Sequence, residues 1–141
     1  MECEPPVMGR YATRLAADPA ATYREIDLAG RTSGADPHAL TGLLYAEAAA
    51  ALRAAACATE RRQWAVKSER VARATAILFA LEAGLDFARG GAVARTLATL
   101  YHGLRGQVVQ ASIGSDPAPF RAVAAEIDDV AGAWARLRPA G

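Results

Sequence analysis

Apolar residues recur at three- and four-residue intervals along most of the chain, which is the spacing of amphipathic helices. The clearest run lies near the C-terminus and consists of Phe120, Val123, Ile127, Val130, Trp134 and Leu137. No stretch alternates apolar and polar residues between turn signals, so we expect no strand. The pattern therefore predicts an all-α protein, an antiparallel up-and-down bundle of four to five helices.

Asp-Pro pairs mark where the predicted helices begin. They occur at Asp18-Pro19, Asp36-Pro37 and Asp116-Pro117. An aspartate side chain accepts hydrogen bonds from the unpaired amides of a first turn, and proline suits the first helical position. Together with a break at Gly90-Gly91, these signals predict helices at 19–31, 37–59, 62–87, 92–113 and 116–137. Residues 1–17 are expected to form a flexible arm, and 18–138 a single helical-bundle domain.

The predicted core follows the seams of these helices. Trp134 lies on the unbroken seam of the last helix, so we expect it to be a core residue. Thirty-six alanines favour helix and let neighbouring helices approach closely. The seam of the helix at 62–87 is predicted to consist of Trp64, Val71, Ala74, Leu78, Leu81 and Leu85. That of the helix at 92–113 is predicted to consist of Val93, Leu97, Leu100, Leu104 and Val108.

The composition excludes several classes of function but assigns none. A net charge of +1 gives no basic face for nucleic acid. The two cysteines and two histidines have no metal-ligand spacing, and no glycine-rich loop follows a strand. We therefore expect no cofactor, no metal and no catalytic residue. The acidic start is not a signal peptide and no run is long enough for a membrane span, so a cytoplasmic location without membrane insertion is expected.

One short string suggests a different chemistry. His102-Gly103-Leu104-Arg105-Gly106 resembles the phosphorylation motif of histidine phosphotransfer domains, which are also small helical bundles. In this alternative His102 would be the phosphoacceptor and Arg105 would steady the phosphoryl group. A generic helical adaptor or dimerisation module is a third hypothesis.

A longer pattern, spread over nearly the whole domain, resembles the flagellin export chaperones of the FliS family. The order and spacing of the matching residues across five helices are more specific than the string around His102. The matching residues are Tyr23 to Ile26, Ala35 to Leu40, Leu43-Leu44-Tyr45, Lys67-Ser68, Ala76 to Leu81, Leu85 to Phe87, Gly90-Gly91, Leu97, Leu100-Tyr101, Ala111 and Ala133-Trp134.

The resemblance implies a cytosolic, non-enzymatic chaperone that binds the disordered C-terminal segment of flagellin. It would block premature polymerisation and aid delivery to the export apparatus; the flagellar export gate and a second copy of the chain are further candidate partners. An amphipathic segment can lie in an apolar groove of a bundle, so residues beside the seams are the candidates. Tyr45 and Tyr101 are favoured because a tyrosine suits a groove edge with one wet end. The predicted flagellin-binding residues are Leu43, Tyr45, Ile77, Phe79, Tyr101 and Val109.

Overall fold

The computed structural model of the protein describes residues 36–137. Within this range the chain forms four α-helices and no strand: α1 (Pro37–Glu60), α2 (Trp64–Ala83), α3 (Phe87–Ile113) and α4 (Ala118–Arg136). The predicted all-α bundle is thereby confirmed. The arm predicted at 1–17 and the helix predicted at 19–31 lie outside the described residues.

Three aspartates begin three of the helices. The side chain of Asp36 accepts a hydrogen bond from the His38 amide at 3.2 Å, and that of Asp116 accepts one from the Ala118 amide at 2.9 Å. Both contacts confirm the predicted Asp-Pro starts. The third aspartate, Asp86, has no proline after it; its side chain accepts from the Arg89 amide at 3.1 Å and begins α3.

The junction between α2 and α3 differs from the prediction. α2 ends at Ala83 rather than at 87, and α3 begins at Phe87 rather than at 92. The expected break at Gly90-Gly91 is present, because Gly91 has a φ of 49° and a ψ of −122°, which are not helical; α3 therefore consists of a first turn and, after this kink, a main helix. Only glycine adopts that conformation at low cost. Asp86 begins the first turn, which the sequence did not predict.

The turn between α1 and α2 is short and closely hydrogen-bonded. The Gln63 amide donates to the Ala58 carbonyl at 2.8 Å, and the Arg62 amide donates to the Thr59 carbonyl at 3.2 Å. This is the Schellman arrangement, in which a left-handed residue follows the helix. Arg62 occupies that position with a φ of 57°, although glycine is the residue that usually fills it.

α1 is the central helix of the described bundle. It packs most extensively against α2 and α4, while α3 packs against α2 and, over a smaller contact, against α4. The second half of α1 is rich in buried alanines, which lets its neighbours come close. By length and composition α1 could cross a membrane, with a mean hydropathy of 1.2, but half of that window is buried in the bundle, as expected of a core helix.

Trp134 joins the end of α4 to the start of α1. Its ring stacks on that of His38 with centroids 4.8 Å apart, and its Nε1 donates to the His38 carbonyl at 2.9 Å. His38 Nε2 in turn lies 2.9 Å from the Trp134 carbonyl oxygen. Trp134 also meets the edge of Tyr45 and packs against the core, but it is only partly buried.

Three residues assigned to the seams prove to be exposed. Trp64, Val93 and Leu137 each present about half or more of their surface to solvent. All three lie within about a turn of a helix end or kink, where the periodic pattern continues but the neighbouring helix no longer covers it. The prediction that they belong to the core was wrong for this reason.

Candidate functional site

Three of the six predicted binding residues lie in the core. Tyr45, Ile77 and Tyr101 are at most 2% exposed. The phenol oxygens of the two tyrosines are 2.5 Å apart and share a hydrogen bond. Burial is the main cause that raises the pKa of both phenols above the ordinary value near 10. The expectation that both tyrosines face a groove edge is therefore corrected, because each supplies the buried polar partner that the other needs.

The other three predicted binding residues face outward. Leu43, Phe79 and Val109 are between 48% and 60% exposed. Leu43 lies on α1, one turn before Glu47. Phe79 on α2 and Val109 on α3 lie along the same junction, since Arg105, one turn before Val109, stands over the Phe79 ring at 5.4 Å.

A groove runs along the outer side of the α2–α3 junction, and we call it the outer groove. It encloses about 670 Å³. One wall is the first half of α2, and the other is the end of α3 with the turn that follows it. The lining residues are Trp64, Lys67, Ser68, Val71, Ala72, Ser112, Ile113, Gly114 and Ser115.

Exposed apolar residues also lie beyond the outer groove, towards the other end of α2; they are Val109 and Phe79. Ile113 lies one helical turn beyond Val109, and Val109 lies one turn beyond Arg105. Arg105 also donates to a Glu82 carboxylate oxygen at 2.8 Å, so a compensated ion pair adjoins Phe79. Fifteen residues separate Phe79 from Trp64, which corresponds to roughly 22 Å of helix. The surface is long enough for about four turns of a bound helix.

Lys67 is the unusual polar group in the outer groove. It is 7% exposed, and its Nζ donates to the Gly114 carbonyl at 2.6 Å just beyond the end of α3. The same ammonium stands 5.2 Å from the centroid of the Trp64 ring and 6.0 Å from that of Phe120. Both aromatic faces favour a cation, and the carbonyl satisfies one of its three donors.

Sequence reasoning missed Trp64, Lys67 and Ile113 as groove residues. Trp64 had been assigned to the core because it stands seven residues before Val71. A better signal was available in Lys67, which is the only lysine beside fifteen arginines. Because all fifteen other Lys or Arg positions are arginine, a lysine here indicates a position that favours a compact ammonium over a planar guanidinium.

The phosphotransfer hypothesis finds no support. His102 is exposed on α3, and its Nδ1 lies 3.3 Å from an Arg105 nitrogen, but that arginine is already paired with Glu82. Across residues 36–137 no group of three or more His, Cys, Asp or Glu side chains could hold a metal ion. The chemistry that this surface offers is apolar contact with a few donors.

Comparisons with known proteins agree on one family. The family model described as flagellar protein FliS matches residues 19–141. The flagellar secretion chaperone FliS of Vibrio cholerae is 29% identical over 117 residues, covering 83% of this chain and 86% of the relative. FliS of Salmonella typhimurium is 29% identical over 118 residues, covering 83% and 87%. The flagellar secretion chaperone FliSB of Pseudomonas aeruginosa is 30% identical over 112 residues, covering 79% and 89%.

Proposed function

The chain belongs to the FliS family of flagellar proteins, and we propose that, as a flagellar secretion chaperone, it holds the C-terminal segment of flagellin in the outer groove. The observation that carries the proposal is the set of exposed apolar side chains along α2 and α3, which are Trp64, Ile113, Val109 and Phe79. A monomeric bundle has no structural need to expose these side chains along one helix junction, and exposed apolar patches mark sites of protein interaction.

The shape of the outer groove suits a partner that is disordered when free. An amphipathic segment can lay its apolar face along a groove between helices and become helical there. Ordering the segment costs several kcal/mol, so the interface must be long. The roughly 22 Å between Phe79 and Trp64 supplies that length on one side of the bundle. A segment held in this way has its apolar face covered, which would prevent it from polymerising.

Titration calorimetry with a peptide of the cognate flagellin C-terminus tests the proposal. We expect binding by the wild-type chain, and at least tenfold weaker binding by the double variant Val109→Ser/Ile113→Ser. Full burial of a valine or isoleucine side chain is worth roughly 1.5–3 kcal/mol. Because Val109 and Ile113 are 48% and 76% exposed, covering the two together should be worth at least the roughly 1.4 kcal/mol of a tenfold change. Failure of the wild type to bind the peptide would remove the proposal.

A matched control uses the same residue type on the same helix. Val93 on α3 is exposed like Val109. Because the two residues are sixteen positions apart, Val93 points roughly 160° away from Val109 around the helix axis. Val93→Ser should leave the affinity within about twofold. Equal losses in the Val93 and Val109 variants would place the bound segment elsewhere. Leu43→Ser measures whether the partner also reaches α1, where Leu43 remains a proposed contact.

The proposal places the protein in the cytoplasm and gives it no catalytic step. Its role would be to keep flagellin unassembled and to aid its delivery to the export apparatus. Flagellin polymerisation, followed by light scattering, should be delayed by an equimolar amount of the wild-type chain and much less by Val109→Ser/Ile113→Ser. Sedimentation of the free chain and of the complex would show whether a second copy or an export component takes part.

A further inference from the structure

The Trp64 end of the outer groove holds a buried positive charge without a counter-charge among the described residues. The ion pairs of residues 36–137 join other side chains, and no carboxylate oxygen in that range lies within 4.0 Å of Lys67 Nζ. The nearest acid along the turn, Asp116, accepts from the Ala118 amide instead. A desolvated ammonium is costly unless a partner compensates it, and one carbonyl and two aromatic rings do so only in part.

The polar groups beside Lys67 have donors to spare. The Lys67 ammonium has three N–H groups, of which one donates to the Gly114 carbonyl. Ser68 and Ser115 line the same groove and are exposed, so their hydroxyls can donate to a ligand. We call Lys67, Ser68 and Ser115 the donor cluster. It would suit a ligand that brings acceptors and negative charge.

We propose that the donor cluster binds the terminal α-carboxylate of the flagellin segment, so that the last residue of flagellin lies at the Trp64 end of the outer groove. This inference rests on the proposed function. The last turn of a helix presents unpaired carbonyls and a carboxylate, which are all acceptors, and it carries the negative end of the helix dipole. Such a terminus matches a wall of donors better than an internal side chain would.

The position of the donor cluster also fixes the direction of the bound segment. Gly114 and Ser115 follow the last residue of α3, so the outer groove ends where the chain turns towards α4. A segment that ends there would run from Phe79 to Trp64, antiparallel to α2 and parallel to α3. A spin label on the N-terminal side of the peptide should therefore broaden NMR signals near Phe79 and leave those near Trp64 sharp.

Two synthetic peptides of the same flagellin C-terminus, one a free acid and one a C-terminal amide, test the proposal by calorimetry. The full-length wild-type chain should bind the acid at least tenfold more tightly than the amide. The difference should shrink to within about twofold in Lys67→Met, which keeps the stem and removes the charge. Salt should weaken binding of the acid more than that of the amide.

Arg105→Met is the matched control, because Arg105 is also a cation on this surface but already has Glu82 as its partner. It should preserve the tenfold preference for the acid even if both affinities fall. If Lys67→Met does not fold, Ser68→Ala/Ser115→Ala replaces it and should reduce the preference at least threefold.

Each other outcome overturns a definite part of the argument. Equal binding of acid and amide by the wild type would remove the carboxylate inference and leave the proposed function intact. A preference that survives both donor-cluster variants would place the carboxylate elsewhere. A loss on neutralising internal acids of the peptide, with none on amidation, would assign the donor cluster to a side chain. No binding of either peptide would remove the proposed function, and this inference with it.

Discussion

The hydrogen bond between Tyr45 and Tyr101 can be measured as a coupling energy in the core. The perturbation is Tyr→Phe at each position, which removes an oxygen and leaves the ring packing in place. In a single variant the remaining hydroxyl stays buried, at most 2% exposed, and has lost its partner at 2.5 Å. Leaving a buried polar group unsatisfied costs about 1–3 kcal/mol. We expect each single variant to lose about that much free energy of unfolding.

The double variant Tyr45→Phe/Tyr101→Phe should be more stable than the sum of the single losses predicts. It removes both polar groups together, and two apolar groups of the same shape can replace a hydrogen-bonded pair at little cost. The expected coupling energy is about 1–2 kcal/mol, within the range for residues in direct contact. Urea unfolding at neutral pH measures all four proteins, with an unchanged m value as the check that the same transition is being followed.

Two results would refute the reasoning. Single losses below about 0.5 kcal/mol that simply add in the double variant would show that the hydroxyls are hydrated rather than paired. A flagellin-peptide affinity that falls tenfold in the folded Phe variants would return the tyrosines to the binding surface. Alanine at both positions cannot decide this, because losing two buried rings costs roughly 3–5 kcal/mol each and threatens the fold.

Further measurements follow from other contacts. Trp134→Ala should lose about 3 kcal/mol by chemical denaturation, since it removes the stack on His38 and the ring packing; a loss under about 1 kcal/mol would contradict that contact. Arg62→Gly should gain about 0.5–1 kcal/mol, because φ at 57° favours glycine, whereas Arg62→Ala should not. Raised folded-state pKa values mean that the stability from Tyr45 and Tyr101 is present below pH 10 and is lost above it; wild type should therefore weaken more steeply above pH 10 than the double Phe variant.

The helix starts could be predicted because their causes are local. Asp36 and Asp116 each satisfy an amide two residues further along the chain, and no distant residue takes part. The same local reasoning missed Asp86, whose cap has no proline to announce it. The break at Gly91 was predicted, because only glycine adopts its φ and ψ at low cost and the signal is local.

The division between core and groove could not be predicted from periodicity. Ile77 and Phe79 are two residues apart on α2 and therefore point about 200° apart around the helix axis; Ile77 is buried and Phe79 is about half exposed. A periodic pattern indicates which residues share a face, but which face receives a neighbour depends on how distant helices pack. Tyr45 was misjudged for the same reason, because its partner Tyr101 lies 56 residues away.

The buried alanine positions of α1 limit the volume of the side chain more strictly than its polarity. Ala48, Ala55 and Ala56 have no exposed surface. A serine there adds one atom and can return its hydroxyl to the preceding turn, whereas a leucine has no space and would force α2 or α4 outward at a cost of roughly 1–3 kcal/mol. Because α2 also forms a wall of the outer groove, an overfilled α1 would alter ligand affinity from the opposite side of that helix. Tolerance to substitution at the buried alanines of α1 should therefore fall as the new side chain becomes larger. Large substitutions there should change ligand affinity although these positions do not contact the ligand.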